Sequence, residues 1–232
     1  MDTKIITIAN QKGGSGKTTI CMQLAGVLGQ GGFKVLIADA DSQGTASRWF
    51  SNADENKPFP ASIARLGSAG KNVDVKVKKY LGMFDYIFID CPPAWDSEIP
   101  FSALSASHIA LVPVIPSPAD LYAVQGIQEL ITRVQKTHKK LKAYIVPNMY
   151  NYTNVNSMAI ESLSEFVMPI TKSFLGDRVA YKESMLIGGT VYDIKGESAQ
   201  KAQEEIERLK AELNQILSIP VPTKNIIKHN IK

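Results

Sequence analysis

The sequence predicts an α/β fold: a doubly wound, mainly parallel sheet with helices on both faces. Three observations point there. Short apolar runs alternate with longer helix-like segments along the chain. Those runs are apolar on consecutive residues, as strands buried on both faces require. A glycine-rich loop joins the first run to the first helical segment, a strand–loop–helix unit. With 232 residues, 44% hydrophobic and 21% charged, the chain suits one α/β domain with a sizeable core.

The elements follow in order. Residues 4–10 carry the apolar run Ile5-Ile6-Thr7-Ile8-Ala9, and residues 17–29 are helix-like. Residues 34–39 form the second strand and end in acids; residues 45–50 are a short helix. Residues 52–70 are polar and contain Pro58 and Pro60, so they read as a largely irregular connection. A helix over 73–81 precedes the third strand, 86–90, and a helix over 97–105 precedes the fourth, 108–114. The chain leaves the fourth strand through Pro113, Pro116 and Pro118, whose rings stiffen the turn. A helix over 120–137 follows, with Asp120 as a capping residue. Residues 143–147 are the fifth strand, 155–167 a helix, 170–174 a sixth strand, and 198–217 the last helix. The expected organisation is one domain over 1–219 and a tail over 220–232, frayed after Pro220 and Pro222.

Composition excludes several classes. No run of about 18 apolar residues is present, so no transmembrane helix is expected. Met1-Asp2-Thr3-Lys4 leads directly into a strand, which argues against a signal peptide. Two cysteines, Cys21 and Cys91, cannot build a disulfide framework and suit a reducing, cytoplasmic compartment. A net charge of +4 permits nucleic-acid binding without proving it.

The chemistry centres on Gln11-Lys12-Gly13-Gly14-Ser15-Gly16-Lys17-Thr18-Thr19. Glycines without Cβ let backbone N–H groups close around phosphates. The helix N-terminus adds partial positive charge. Lys17 stands where a P-loop lysine reaches the outer phosphates, and Thr18 where a hydroxyl holds Mg2+. The usual leading glycine is replaced by Gln11, and a second lysine, Lys12, follows it. Two further acidic stretches lie at strand ends, where ligands of doubly wound sheets sit. They are Asp39-Ala40-Asp41-Ser42-Gln43-Gly44 and Ile89-Asp90-Cys91-Pro92-Pro93.

The loop K-G-G-x-G-K-[ST], the D-x-D-x-Q-G stretch and the I-D-x-P-P stretch together resemble the ParA/MinD family of deviant Walker A ATPases. The likeness spans residues 4–217 and is greatest to small plasmid-type ParA partition proteins. It implies ATP and Mg2+ as ligands, with Gly13, Gly14, Ser15, Gly16, Lys17, Thr18 and Thr19 around the nucleotide. It implies that Lys12 crosses a dimer interface to the partner's phosphates. Asp41 would orient the attacking water and Asp90 would hold Mg2+ through water. Asp39 would support Lys17 or the Mg2+ shell, or else cap the next helix. Pro116 and Pro118 either flank the nucleotide or the dimer interface or only shape a turn, and Asn148 either reads the adenine edge or is a turn asparagine. Iron-protein relatives bridge a cluster with cysteines; for Cys21 and Cys91 core packing is the default.

Among basic stretches, Lys136-Thr137-His138-Lys139-Lys140-Leu141-Lys142 is the densest. It also closes a helix, where lysines complement the dipole. Lys172, Arg178, Lys182 and Lys195 lie where members of that family carry non-specific DNA contacts, and Arg178, Lys182 and Lys195 are the candidates here. The last helix mixes Lys201, Arg208 and Lys210 with four glutamates. The tail, with three isoleucines and no aromatic residue, is short for an interfacial helix, so no membrane partner is expected. The resemblance implies a nucleoid-associated partition ATPase. It would dimerise on ATP, coat double-stranded DNA without sequence preference, and be released by a ParB-like partner. The alternatives are a positioning ATPase for another cargo, a small-molecule P-loop enzyme, and a nucleotide-bound filament former.

Overall fold

The computed structural model describes residues 2–93, 98–151 and 153–218. Its strands are β1 (Lys4–Ile8), β2 (Val35–Asp39), β3 (Ser62–Arg65), β4 (Tyr86–Asp90), β5 (Ile109–Val114) and β6 (Lys142–Pro147). Its helices are α1 (Lys17–Gln30), α2 (Thr45–Ser51), α3 (Val73–Lys78) and α4 (Glu98–Ala106). They continue with α5 (Pro118–Gln135), α6 (Asn154–Leu163), α7 (Val179–Leu186) and α8 (Glu197–Ile216). The strands form one parallel sheet in the order β3-β2-β4-β1-β5-β6.

Strand side chains alternate between two faces, and the core divides accordingly. Ile6, Ile8, Ile37 and Phe88 pack with Leu24 and Leu28 of α1, Trp49 of α2 and Ile206 and Leu209 of α8. Ile5, Leu36, Ile87 and Ile89 pack with Val73 and Val77 of α3, Leu104 of α4 and Ile127 and Ile131 of α5. Both faces are covered, which is why the inner strands read as continuous apolar runs.

Three expectations need correction. Strand β3 lies within the stretch read as irregular. It is a four-residue edge strand paired with β2 alone, with Ser62 and Arg65 exposed, so it carries no apolar run. Residues 170–174 form no strand: Ile170 makes an isolated bridge to Ile145, and Thr171 then turns its hydroxyl onto the Ser173 carbonyl. Helix α7 is absent from the sequence reading, because Val179 and Leu186 are exposed and blur its period. Helices α3 and α6 also stop short, at Lys78 and Leu163. The expected tail, 220–232, lies outside the described residues, as does Ser97, the expected start of a helix.

Tertiary contacts hold α7 where its own pattern does not. Glu205, 2% exposed, accepts hydrogen bonds from Gly176 N, Arg178 Nε and Nη2, and the Tyr181 hydroxyl. Gln23 of α1 donates to Ser184 Oγ and accepts from Val191 N. The Trp49 indole donates to Gly189 O at 2.9 Å. Gly188 has φ +64 and touches the end of α2 so closely that a Cβ would lie 2.0 Å from Ala53 N. The α7 module is thus fastened to the helix that follows the Asp39–Gly44 loop.

Removing the buried acid would take away the shared acceptor of Gly176 N, the Arg178 guanidinium and the Tyr181 hydroxyl. Glu205→Ala is expected to cost about 3–5 kcal/mol, read as a lowered urea midpoint. A destabilisation below about 1 kcal/mol would show that the cluster behaves as a surface pair.

Candidate functional site

The glycine-rich loop leaves the carboxyl end of β1 in the middle of the sheet and is tied down from several sides. Asn10 Nδ2 donates to Pro113 O at 2.6 Å, and Asn10 Oδ1 accepts from Lys12 N at 3.2 Å. Asn148 Nδ2 donates to Ser15 O at 2.7 Å. Lys17 Nζ reaches back to Lys12 O at 2.9 Å. Gly14 and Gly16 have φ +74 and +91, values that L side chains rarely adopt. A Cβ on Gly16 would also lie 1.9 Å from Asn148 Nδ2, whereas Gly13 and Gly14 face open space. The result is a concave run of backbone over the α1 N-terminus, the form that receives phosphates.

Charge gathers beneath this loop. Lys17 is buried, which lowers its pKa, while the charges of Asp90 and Asp41 oppose that shift. Asp90, 1% exposed, is pushed up to about 7 by burial, with Asp39 and Asp41 adding to the rise. One of its oxygens accepts from Thr18 Oγ1 at 2.7 Å; the other is buried with no hydrogen-bond partner. A buried carboxylate oxygen beside a threonine hydroxyl and a phosphate cradle fits hydrated Mg2+, which takes oxygen ligands and keeps several waters. Thr18 and Asp90 would hold it, and bound Mg2+ would neutralise charge on the outer phosphates.

The remaining expected residues divide. Asp41 is half-buried; its Oδ1 accepts from Gln43 N at 2.9 Å, and it lies beside an open cleft of about 610 Å3 also lined by Arg48 and Arg65. Asp39 goes to the capping alternative. Its oxygens accept from Ser47 N, Ser47 Oγ and Asp41 N, so it fixes the start of α2 instead of facing a metal. Asn148 is 3% exposed and its amide donor is spent on the loop backbone, a positioning role closer to the turn reading than to adenine recognition. Pro116 is buried, and its carbonyl accepts from Asn156 Nδ2 at 2.7 Å, which ties the proline turn to α6. Thr19 is half-buried in the first turn of α1.

Lys12 does not enter the cradle. Its ammonium pairs with Asp120 Oδ1 at 2.6 Å, where Asp120 is buried in the first turn of α5 and also accepts from Ser117 Oγ. The sequence shows Asp120 as a helix cap only; its pairing with Lys12 needs the β5–α5 turn to fold over the loop. Cys21 and Cys91 are buried on opposite faces of the sheet, and burial pushes both thiols well up, as for core residues. Among the expected DNA contacts, Arg178 is committed to Glu205 and Lys182 pairs with Asp177 at 3.3 Å, while Lys195 is exposed.

Comparison with known proteins agrees with this geometry. Residues 6–191 match the family described as CbiA, the CobQ/CobB/MinD/ParA nucleotide binding domain. The chain is 31% identical over 219 residues to the maintenance of carboxysome distribution protein A of Halothiobacillus neapolitanus, covering 94% of this chain and 96% of that protein. It is 29% identical to the sporulation initiation inhibitor protein Soj of Bacillus subtilis, covering 70% of this chain and 79% of Soj. In fold it resembles MinD of Pyrococcus horikoshii complexed with Mg-ADP, with TM-score 0.76, 21% identity and coverage of 95% and 100%. An ATP complex of McdA from Cyanothece also gives TM-score 0.76, at 18% identity and coverage of 96% and 99%. The chain belongs to the CobQ/CobB/MinD/ParA nucleotide-binding family. It is an ATPase of this family, built on the phosphate loop described above.

The state of Asp90 sets a pH dependence. Its folded pKa, about 7, lies above the ordinary 3.8, so the folded chain holds this proton more tightly than the unfolded chain between those values. Stability of the nucleotide-free protein should therefore fall as pH rises through that window. Asp90→Asn should flatten the fall and raise the urea midpoint at pH above 7. Parallel pH profiles for both proteins would contradict this account of Asp90.

Proposed function

We propose that this member of the ParA/MinD-type ATPases is a DNA partition ATPase, in which ATP drives a sandwich dimer that binds double-stranded DNA without sequence preference. One observation carries the reading. The loop holds two lysines with separate destinations: Lys17 lies under the phosphate cradle, and Lys12 lies outside it on Asp120. A lysine outside its own cradle is placed to leave Asp120 and meet the phosphates of a second subunit. Asp41, two residues beyond the end of β2 and outside the phosphate loop, orients the attacking water. Asp90 and Thr18 hold Mg2+, and the backbone from Gly13 to Thr19 holds the phosphates. A ParB-like partner stimulates hydrolysis and returns the protein to the unbound state. Among the described residues no helix is long and apolar enough to cross a membrane, and the proposed location is the nucleoid in the cytoplasm.

A second reading has its own support. The relative from Halothiobacillus neapolitanus is named for carboxysome distribution. On that reading the same switch, moving over the same DNA, positions a protein compartment in place of a plasmid. The cargo-bound partner differs between the readings; the site does not.

Lys17→Ala should abolish ATP binding, whereas Lys12→Ala and Asp41→Ala should bind ATP and turn it over slowly. A decrease of about 10²-fold is the scale for a positioned group such as Asp41. Equal reduction of ATP affinity in both lysine variants would reject the division of labour. For DNA, the protein should bind random-sequence duplexes with ATP and much more weakly with ADP. Equal affinity in both nucleotides, or strong preference for one sequence, would remove the partition reading.

A further inference from the structure

The amino-terminal edge of the sheet is opposite the nucleotide loop, about 17 Å away along a five-residue strand. Five strands present their starts side by side there, in the order β2-β4-β1-β5-β6. Backbone bonds stitch the segments just ahead of them together. Asp85 N donates to Lys34 O, Lys4 N to Asp85 O, and Lys142 N to His108 O. Ile5 N donates to His108 Nδ1 at 3.0 Å, and His138 Nε2 lies 2.7 Å from Ser107 O.

This stitching places a row of cations across the edge. The segments 2–4, 31–34, 79–85, 107–108 and 136–142 carry Lys4, Lys34, Lys79, Lys136, Lys139, Lys140 and Lys142. The acids in the same segments are Asp2 and Asp85, and Asp85 Oδ2 is occupied by Lys34 N. Seven lysines against two aspartates leave an excess of five positive charges, more than the +4 of the whole chain. All but Lys4 are exposed, and none of the seven takes part in a salt bridge among the described residues.

Complementing the carboxyl end of α5 does not account for this. A helix terminus carries about half a unit charge, felt within its last turn. Lys4, Lys34, Lys79 and Lys142 belong to other elements. Adjacent strands are about 4.8 Å apart, so the row spans roughly 19 Å. Duplex DNA presents one negative charge per about 1.7 Å of axis, both strands counted, so some eleven charges lie along that length and part of them face the row. The edge exposes a compact set of long ammonium groups, of which Lys142 also donates to Ile216 O at 3.2 Å; point charges on flexible stems suit the phosphate backbone more than base edges.

We infer that this edge, centred on Lys136, Lys139, Lys140 and Lys142, is the face that binds double-stranded DNA through its phosphates. The inference rests on the DNA-binding reading above and moves the interface away from Arg178 and Lys182, whose charges are already paired. It also separates DNA binding from the nucleotide site by the length of the sheet.

The test uses a fluorescein-labelled 30-base-pair duplex of random sequence, read by anisotropy with ATP and Mg2+ over a salt series. Lys136→Ala/Lys139→Ala/Lys140→Ala should weaken binding at least 10-fold near physiological salt. Its log–log salt slope should be shallower by about 0.9 for each phosphate that the variant no longer neutralises. Basal ATP turnover should be unchanged, which also reports that the variant folds. Lys182→Ala/Lys195→Ala should bind nearly as the parent does. If the parent binds and the triple variant binds equally well, the assignment of this edge is overturned while the DNA-binding reading stands. If the parent binds no duplex with either nucleotide, both fall. If the triple variant is impaired only in binding phosphatidylserine vesicles, the edge serves a lipid surface and the inference is overturned.

Discussion

A lysine ammonium and a carboxylate share a nearly dry space under the glycine loop, and much of the molecule is arranged around keeping them there. Lys17 and Asp90 are both buried, yet they are not joined by a direct ion pair. The lysine donates to the loop backbone and the acid accepts from Thr18, with one carboxylate oxygen left over. Burial lowers the lysine pKa and raises that of the acid. Both shifts disfavour the charged forms that a Mg-nucleotide complex needs, so ligand binding supplies charge that the fold withholds. The parallel sheet makes this possible. It brings Ile8 of β1 and Asp90 of β4 into register, so that the loop and the acid leave the sheet as neighbours.

The site also depends on residues without chemistry of their own. The side chains of Asn10, Asn148 and Asp39 bond backbone groups of the phosphate loop and of the loop that carries Asp41, at Lys12 N, Ser15 O and Asp41 N. Asp39 fixes the start of α2, and α2 in turn bonds to Gly189 through Trp49. The loop carrying Asp41 is therefore continuous, through packed and hydrogen-bonded groups, with the α7 module on one flank. On the other flank, Lys12 is held by Asp120 of α5. Action across a dimer interface requires that pair to open, and phosphate charge from a second subunit is a strong competitor for the same ammonium.

Legibility follows physical locality. The phosphate loop, both acidic strand ends and the five strands other than β3 are readable because each depends on residues adjacent in sequence. Strand β3 is not: with two exposed residues among its four, it exists because β2 offers it an edge. Helix α7 is not, since Glu205, Gln23 and Trp49 hold it from elsewhere in the chain. The same limit governs the site. Motif alone places Thr18, Lys17 and Asp90. The commitments of Arg178 to Glu205 and of Asn148 to Ser15 span 27 and 133 residues, and that of Lys12 to Asp120 is also long-range. The lysine edge shows both effects. Residues 136–142 are conspicuous in the sequence, but Lys4, Lys34 and Lys79 join them only once the parallel sheet aligns its strand starts.

The central claim is that one lysine of the loop serves its own nucleotide and the other serves a partner's, so that ATP binding is read out as dimerisation. Molar mass by light scattering on a sizing column, with Mg2+ and either ATP or ADP, tests it most directly. The claim requires a particle near twice the 25.4 kDa chain mass with ATP and a monomer with ADP. With Lys12→Ala it requires a monomer under both conditions. A mass that is the same with ATP and ADP, or an ATP dimer that persists without Lys12, would contradict it.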